Sequence, residues 1–229
     1  MNDIVDHKLP KANAEFRQVG KPLARIDAPD KVFGKTLYAG DYSMPDMLHA
    51  KVLRSPLASA RLTRLDVSRA LELPGVASVL TSDDLINNSV STDLHGRATA
   101  KSQQTDQPIL IDDIVRYHGE PIALVAAETS AIAQKAIDLI EFDLEPVAGV
   151  YDPFEALKPD APIVFGTDNI VAQYKVRKGD LEAGFSAAEV IIENTFSTQF
   201  VEHAFLEPEV GLAWVDERDV INIRVSTQN

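Results

Sequence analysis

The chain has 229 residues and no cysteine, and 22 lysines and arginines face 35 aspartates and glutamates, giving a formal charge of −13. This length supports a globular core, and the acidic composition argues against nucleic acid and anionic membrane surfaces as partners. The lack of cysteine excludes disulfides, thiolate zinc sites and iron–sulfur ligation by this chain. The polar start lacks the apolar core of a signal peptide, and no stretch is long enough to span a bilayer, so we expect a cytoplasmic protein.

Short alternating segments separated by turn residues occupy the N-terminal part of the chain. Residues 1–18 show no periodicity and are expected to be a mobile arm, and Asp27–Gly34 is predicted to be a cluster of turns. The elements predicted next are strands Thr36–Ala39, Met47–Leu53 and Arg61–Val67, a helix Ser68–Leu71 ended by Pro74-Gly75, a strand Val76–Leu80 and a turn capped by Thr81.

A polar stretch, Asn87–Gln107, is predicted to be a long loop, either a solvated excursion or a binding segment. The next residues, Pro121–Ala127, form a continuous apolar run that is typical of a strand covered on both faces. A helix is then expected from the cap at residue 129 or 130 to about Ile140, followed at once by a strand, Glu141–Leu144. This order is compatible with parallel or with split pairing, and it predicts an α/β (α+β) fold for the first half of the chain.

The second half turns to strands after a connection with prolines at 146, 153, 159 and 162, in which a small helix is expected at Pro153–Leu157. Three apolar-faced strands without a covering helix are marginal alone, so we expect their sheet to be completed by something outside this sequence. The strands predicted here are Val190–Phe200, Leu212–Val215 and Val220–Val225, with Asp216–Asp219 as the turn between the last two.

No motif in the sequence supplies a complete reaction site. The five histidines lack metal-ligand spacing, and neither a phosphate-binding glycine loop nor a G-x-S-x-G elbow is present. The pairs Asp83-Asp84 and Asp112-Asp113 are typical of caps and turns rather than of acid–base catalysis. The densest cluster is Val201–Glu209, where carboxylates and an imidazole lie among aromatic residues; from spacing alone, His203 is expected to be a hydrogen-bonded core residue and Glu207-Pro208 to shape a turn.

Several motifs in order resemble the molybdenum-cofactor subunit of the xanthine dehydrogenase and aldehyde oxidase family. The resemblance extends over about residues 19–229 and rests on the following segments: Gly20–Asp41, Arg54-Ser-Pro56, Ala60-Arg61, Pro74-Gly-Val76 with Leu80-Thr81, Val115–Glu128, the 201–209 cluster and Ser226-Thr-Gln-Asn229.

This resemblance implies an α/β hammerhead domain over residues 19–150, an extended linker over 151–175 and, over 176–229, the first strands of an incomplete molybdopterin-binding domain. It also implies hydroxylation of a purine, another N-heterocycle or an aldehyde, with oxygen taken from water. The chemistry belongs to the molybdenum–molybdopterin cofactor, shared with a missing segment or a partner chain, and the protein supplies placement. Iron–sulfur clusters and FAD are expected on partner subunits only.

The sequence departs from the family pattern at three places. The residue before Glu202-His203 is often a glutamine that hydrogen-bonds an oxygen on molybdenum, whereas Val201 has no donor. The Arg54-Ser-Pro motif continues as Leu57-Ala-Ser59 instead of His-Ala-His. The Gly-Gly-Phe-Gly-Gly loop and the catalytic glutamate of the family are absent, so we assign no catalytic residue and no metal ligand. By position in the family motif, Val201 and Glu202 are the candidate cofactor-binding residues.

Two functional hypotheses follow for this chain. The leading one is that it belongs to a molybdenum hydroxylase and contributes scaffold, interface and one wall of the cofactor site, so that the isolated chain is inactive. The alternative is a non-catalytic hammerhead protein with an interaction or assembly role. Association with a partner that carries the missing segments separates the two.

Overall fold

The computed structural model describes residues 19–88, 108–164, 166–170 and 175–227. Two compact units divide the chain: a split unit of Met1–Ser43 with Ser197–Asn229, and a continuous unit of Met44–Phe196. The arm expected at 1–18 and most of the loop expected at Asn87–Gln107 lie outside the described residues.

Short strands and helices alternate along the described chain, which confirms the mixed α/β class. Two 3₁₀ turns, Ala39–Asp41 and Ser82–Asp84, accompany them. The helices are α1 (Ala28–Val32), α2 (Ser68–Leu71), α3 (Ser130–Leu139), α4 (Pro153–Ala156) and α5 (Leu181–Ala187). The strands are β1 (His49–Arg54), β2 (Ala60–Asp66), β3 (Val76–Leu80), β4 (Ile114–Val115), β5 (Pro121–Ala127), β6 (Glu141–Pro146), β7 (Gly211–Val215) and β8 (Ile221–Val225).

Two three-stranded antiparallel sheets form the continuous unit, in the orders β1-β5-β3 and β4-β2-β6. Strand β5 lies in the middle of the first sheet, where Val125 pairs with Lys51 on one side and Val79 on the other. The side chains of Ile122, Ala123, Val125 and Ala127 are fully buried. The predicted strand is therefore confirmed, but its two faces are covered unequally, because Leu124 and Ala126 on the second face are only partly buried.

Helix α3 connects the two sheets, because β5 lies in one and β6 in the other. It packs against β1 and β5, and its residues Ala133 and Ala136 are both fully buried. Their small side chains allow the helix axis to approach the sheet closely, as in other close-packed interiors. The β5–α3–β6 order thus produces a crossover between antiparallel sheets and not a parallel pair.

Two predicted strands are absent from the structure. Residues 36–38 are irregular and continue into the 3₁₀ turn Ala39–Asp41, where a strand Thr36–Ala39 was expected. Residues 190–200 have no regular secondary structure and pair with no strand in the described part of the chain. An alternating pattern by itself does not make a strand, because a strand also needs a neighbour to complete its hydrogen bonds.

A hairpin ends the split unit, with Ala213 of β7 opposite Ile223 of β8. Its turn is closed by Asp216, whose Oδ1 accepts from the backbone N–H groups of Arg218 at 2.9 Å and Val220 at 3.1 Å. These two bonds hold the pKa of the Asp216 carboxyl below its usual range, because they stabilise the charged form. The predicted turn at Asp216–Asp219 is confirmed.

Candidate functional site

Two sequence motifs of the continuous unit bind each other. The backbone N–H of Ser55 donates to the carbonyl oxygen of Glu120 at 3.0 Å, and that of Gly119 donates to the carbonyl of Ser55 at 2.9 Å. The guanidinium of Arg54 donates to the carbonyl of Gly119 at 2.9 Å. Gly119 has φ +85°, a conformation that favours glycine. The Arg54-Ser-Pro56 and Val115–Glu128 motifs therefore serve the fold of this unit.

Glu120 is buried in this unit, with 1% of the residue exposed. Its carboxylate accepts from the backbone N–H of Arg116, and the Arg116 guanidinium lies 3.3 Å from Oε1. Arg116 also donates to the carbonyl of Ile114 at 2.9 Å. Both charges are thus compensated inside one short loop, which assigns them a structural role.

The predicted cofactor-binding residues lie on an exposed segment of the split unit. Val201 is 64% exposed, and the Glu202 carboxylate accepts from the backbone N–H of Ala204, two residues further on. His203 stacks on Phe205, with ring centroids 5.4 Å apart and an interplanar angle of 8°. His203 is exposed, so the expectation that it is a core histidine is wrong. The His203 ring therefore stacks on an aromatic neighbour of the same loop without being buried.

A cavity of about 720 Å³ lies within the split unit, between the N-terminal turn and the hairpin. The guanidinium of Arg224 lies over the ring of Tyr42, 3.9 Å from its centroid, which is a cation–π contact. The lining residues are Leu37, Tyr38, Ala39, Tyr42, Phe205, Glu207, Glu209, Arg224, Val225, Ser226 and Thr227.

A second cavity of about 520 Å³ in the same unit shares Tyr38 and Glu207 with the first. Neither cavity is lined by Val201 or Glu202. Tyr42 and Arg224, which meet in the first cavity, were not identified from the sequence. Neither residue belongs to a local sequence pattern that indicates a contact between them.

No group of histidine, aspartate and glutamate side chains able to hold a metal ion occurs among the described residues. In the same part of the chain, no helix is long and apolar enough to cross a membrane. The site therefore consists of an exposed loop, a turn and a hairpin with aromatic, acidic and cationic side chains.

Two family models match the chain in order. Residues 33–147 match the aldehyde oxidase and xanthine dehydrogenase a/b hammerhead domain, and residues 164–229 match a molybdopterin cofactor-binding domain. The chain belongs to the aldehyde oxidase and xanthine dehydrogenase family. The hammerhead fold expected from the sequence is therefore confirmed, and its two antiparallel sheets lie in the continuous unit.

Relatives in this family cover nearly the whole chain. The nicotinate dehydrogenase large molybdopterin subunit of Eubacterium barkeri is 35% identical over 218 residues, which are 94% of this chain and 48% of that protein. The nicotine 6-hydroxylase large subunit of Paenarthrobacter nicotinovorans is 34% identical over 92% of this chain and 26% of that protein. The solved aldehyde oxidoreductase of Desulfovibrio gigas has a TM-score of 0.75 at 31% identity, covering 88% of this chain and 23% of that one. The chain thus spans between about a quarter and a half of the length of these proteins.

The described residues do not form a complete site for the molybdopterin cofactor that this family implies. Glu202, Glu207 and Glu209 would repel an anionic phosphate group placed at this loop. Arg224 is the cation lining the first cavity, and its guanidinium is stacked on Tyr42. The loop over residues 201–209 offers exposed backbone and the apolar Val201 side chain, and it carries no lysine or arginine.

Proposed function

We propose that the whole protein is a molybdenum hydroxylase that inserts water-derived oxygen into a purine, another N-heterocycle or an aldehyde. The observation that carries this proposal is the ordered match to a hammerhead domain and a molybdopterin-binding domain in one chain. The cofactor, when bound, supplies the redox chemistry of hydroxylation. No step is assigned to a residue of this chain, because its sequence motifs supply no catalytic residue.

The contribution of this chain, in our proposal, is scaffold, interface and one wall of the cofactor site. The scaffold role is supported by the mutual hydrogen bonds of the Arg54-Ser-Pro56 and Val115–Glu128 motifs, which are directed inward. The wall consists of Val201 and Glu202, which lie on an exposed loop. We retain as part of the proposal a hammerhead domain over 19–150, a linker over 151–175 and molybdopterin-domain strands over 176–229.

Partner subunits that carry iron–sulfur clusters and FAD complete the proposed enzyme. Two relatives are named as large subunits, a term used for one chain of a multi-subunit protein. This chain has no cysteine to ligate an iron–sulfur cluster. In our proposal, electrons from hydroxylation leave through iron–sulfur and flavin groups that lie outside this sequence, on partner subunits.

Purification of the tagged chain from its native cells, with native mass spectrometry and metal analysis, tests the proposal. We expect a hetero-oligomer that contains molybdenum and oxidises at least one of nicotinate, nicotine, xanthine or an aldehyde with an artificial electron acceptor. All four substrates are needed, because the relatives named for nicotinate, nicotine and aldehyde have similar identities of 31–35%. A stable hetero-oligomer without molybdenum and without activity would instead support the assembly role.

The isolated chain provides the complementary measurement. We expect the chain expressed and purified alone to contain no stoichiometric molybdenum and to show no hydroxylase activity. The reason is that the 201–209 loop carries three glutamates and no lysine or arginine that could bind the phosphate of the cofactor. A molybdenum content near one atom per chain would contradict the proposed sharing of the cofactor site.

A further inference from the structure

A long-range hydrogen bond joins the turn at Tyr38–Asp41 to the 201–209 loop. The backbone N–H of Ala39 donates to Oε1 of Glu207 at 3.4 Å, across 168 residues of sequence. The turn is closed independently, since the N–H of Tyr38 donates to the Asp41 carboxylate at 2.9 Å and the N–H of Asp41 to the carbonyl of Tyr38 at 3.0 Å. Glu207 therefore binds a turn that already holds its own shape.

The same N-terminal segment has a second attachment point on the hairpin. The ring of Tyr42 lies under the guanidinium of Arg224, 3.9 Å from ring centroid to guanidinium carbon. The turn is thus fixed to β8 at one end and can serve as a rigid support for the loop at the other.

Glu207 occupies the wall between the two cavities of the split unit, together with Tyr38. Downstream of it, the hydroxyl of Ser226 donates to the carbonyl of Pro208 at 2.9 Å and ties the end of the loop to the hairpin. Upstream of it, the Glu202 carboxylate bonds within its own turn, to the N–H of Ala204. Among the described contacts, the bond made by Glu207 is therefore the long-range side-chain hydrogen bond that lies closest to residues 201–206.

We propose that Glu207 is a positioning residue, whose carboxylate holds the 201–209 loop, and with it Val201 and Glu202, against the turn Tyr38–Asp41. The consequence for the cofactor rests on the proposed function, in which Val201 and Glu202 form one wall of its site. The bond itself does not depend on that function. A hydrogen bond between segments this far apart in sequence restricts the loop in the free chain as well as in the complete enzyme.

Hydrogen–deuterium exchange of the full chain tests the attachment. Glu207→Ala removes the acceptor, and we expect peptides covering 36–43 and 201–209 to exchange roughly threefold faster, as suits one long, exposed hydrogen bond. Glu207→Gln keeps an oxygen at the same reach and restores most of the protection. Glu209→Ala is the matched control, because Glu209 lines the same cavity and makes no hydrogen bond to the turn in the described structure. A peptide from β5 serves as the internal reference and stays unchanged.

Unchanged exchange in Glu207→Ala overturns the proposal, as does an equal increase in Glu209→Ala or in the β5 peptide, which would indicate general loosening. In the assembled complex, we expect Glu207→Ala to lower the molybdenum content relative to Glu209→Ala and Glu207→Gln to retain it. A wild-type complex without molybdenum contradicts the proposed function and leaves the exchange result standing. An exchange result without the Glu207 effect contradicts the positioning role whatever the metal content.

Discussion

Glu120 is a buried carboxylate, a feature often found in active sites, but its contacts stabilise the fold. It lies in the loop before β5, and both its oxygens face Arg116. In the same loop, Gly119 has φ +85°, and its carbonyl oxygen accepts a hydrogen bond from the guanidinium of Arg54. Its charge stabilises the loop geometry that joins β4 to β5.

Glu120→Ala should lower the free energy of unfolding by about 2–4 kcal/mol, because it leaves the backbone N–H of Arg116 without its acceptor and removes the buried charge partner of its guanidinium. Urea denaturation followed by circular dichroism measures this loss. Glu145→Ala is the control, since Glu145 is an exposed residue of β6, and its effect should stay within about 0.5 kcal/mol. Equal effects of the two substitutions would show that the Arg116 contact does not stabilise the loop.

Helix α3 illustrates how a local signal specifies an element. Thr129 has extended backbone angles, and its Oγ1 accepts from the N–H of Ile132 at 3.1 Å, so it is the N-cap. The sequence left Thr129 and Ser130 open for this role, and the structure assigns it to Thr129. Ser130 is the first helical residue and makes no such bond in the described structure.

Thr129→Ala should destabilise the chain by about 1 kcal/mol, because it leaves one N–H of the first helical turn without an acceptor. The measured quantity is again the urea midpoint. Ser130→Ala is the adjacent control and should be close to neutral. If Ser130→Ala costs as much as Thr129→Ala, the cap assignment is wrong.

Residues 190–200, which include Ile192 and Phe196, have the alternating pattern of a strand but no partner strand in the described structure. The two side chains are 79% and 88% exposed, and the segment pairs with no described strand. An exposed apolar segment without a described partner strand is a site for association.

The double substitution Ile192→Ser with Phe196→Ser should reduce binding of the dye ANS and self-association of the isolated chain, because it removes this exposed apolar surface. Dye fluorescence and light scattering at matched concentration measure the effect. Ile86→Ser is the control, since Ile86 is fully exposed but lies outside the segment. A similar decrease in that control would locate the association elsewhere.

At the scale of the whole molecule, acid stability depends on carboxylates that bridge elements. Glu141 of β6 accepts from Arg64 of β2 at 2.7 Å and from Arg69 of α2 at 3.1 Å. These bonds, with Arg64 contributing most, lower the pKa of the Glu141 carboxyl below its usual 4.5. The folded state thus favours the charged form more than the unfolded state does.

We therefore expect the stability from Glu141 to be complete above about pH 4.5 and to fall as the pH decreases through the lowered folded-state pKa. The urea midpoint measured from neutral to acidic pH should decline less steeply below this value in Glu141→Gln than in the wild type. Glu145→Gln, on the same strand, should follow the wild-type curve. Parallel wild-type and Glu141→Gln curves would contradict the coupling to Arg64 and Arg69.

The sequence by itself determined much of this protein. The apolar run of β5, the helix after it, the hairpin turn at Asp216 and the ordered family motifs all depend on residues within a few positions of each other. The family and its mixed α/β fold could therefore be predicted, and the comparisons confirmed both. The lack of cysteine similarly fixed what this chain cannot ligate.

Only the tertiary structure decided which segments meet. Strands β5 and β6 lie in two different sheets, and residues 190–200 have no described partner strand. The backbone N–H of Ala39 donates to the Glu207 carboxylate across 168 residues of sequence. His203 likewise lies exposed beside Phe205, although its surroundings suggested a core position. Local pattern sets the backbone conformation of a segment, whereas its partners depend on the burial and hydrogen bonding that the whole chain makes available.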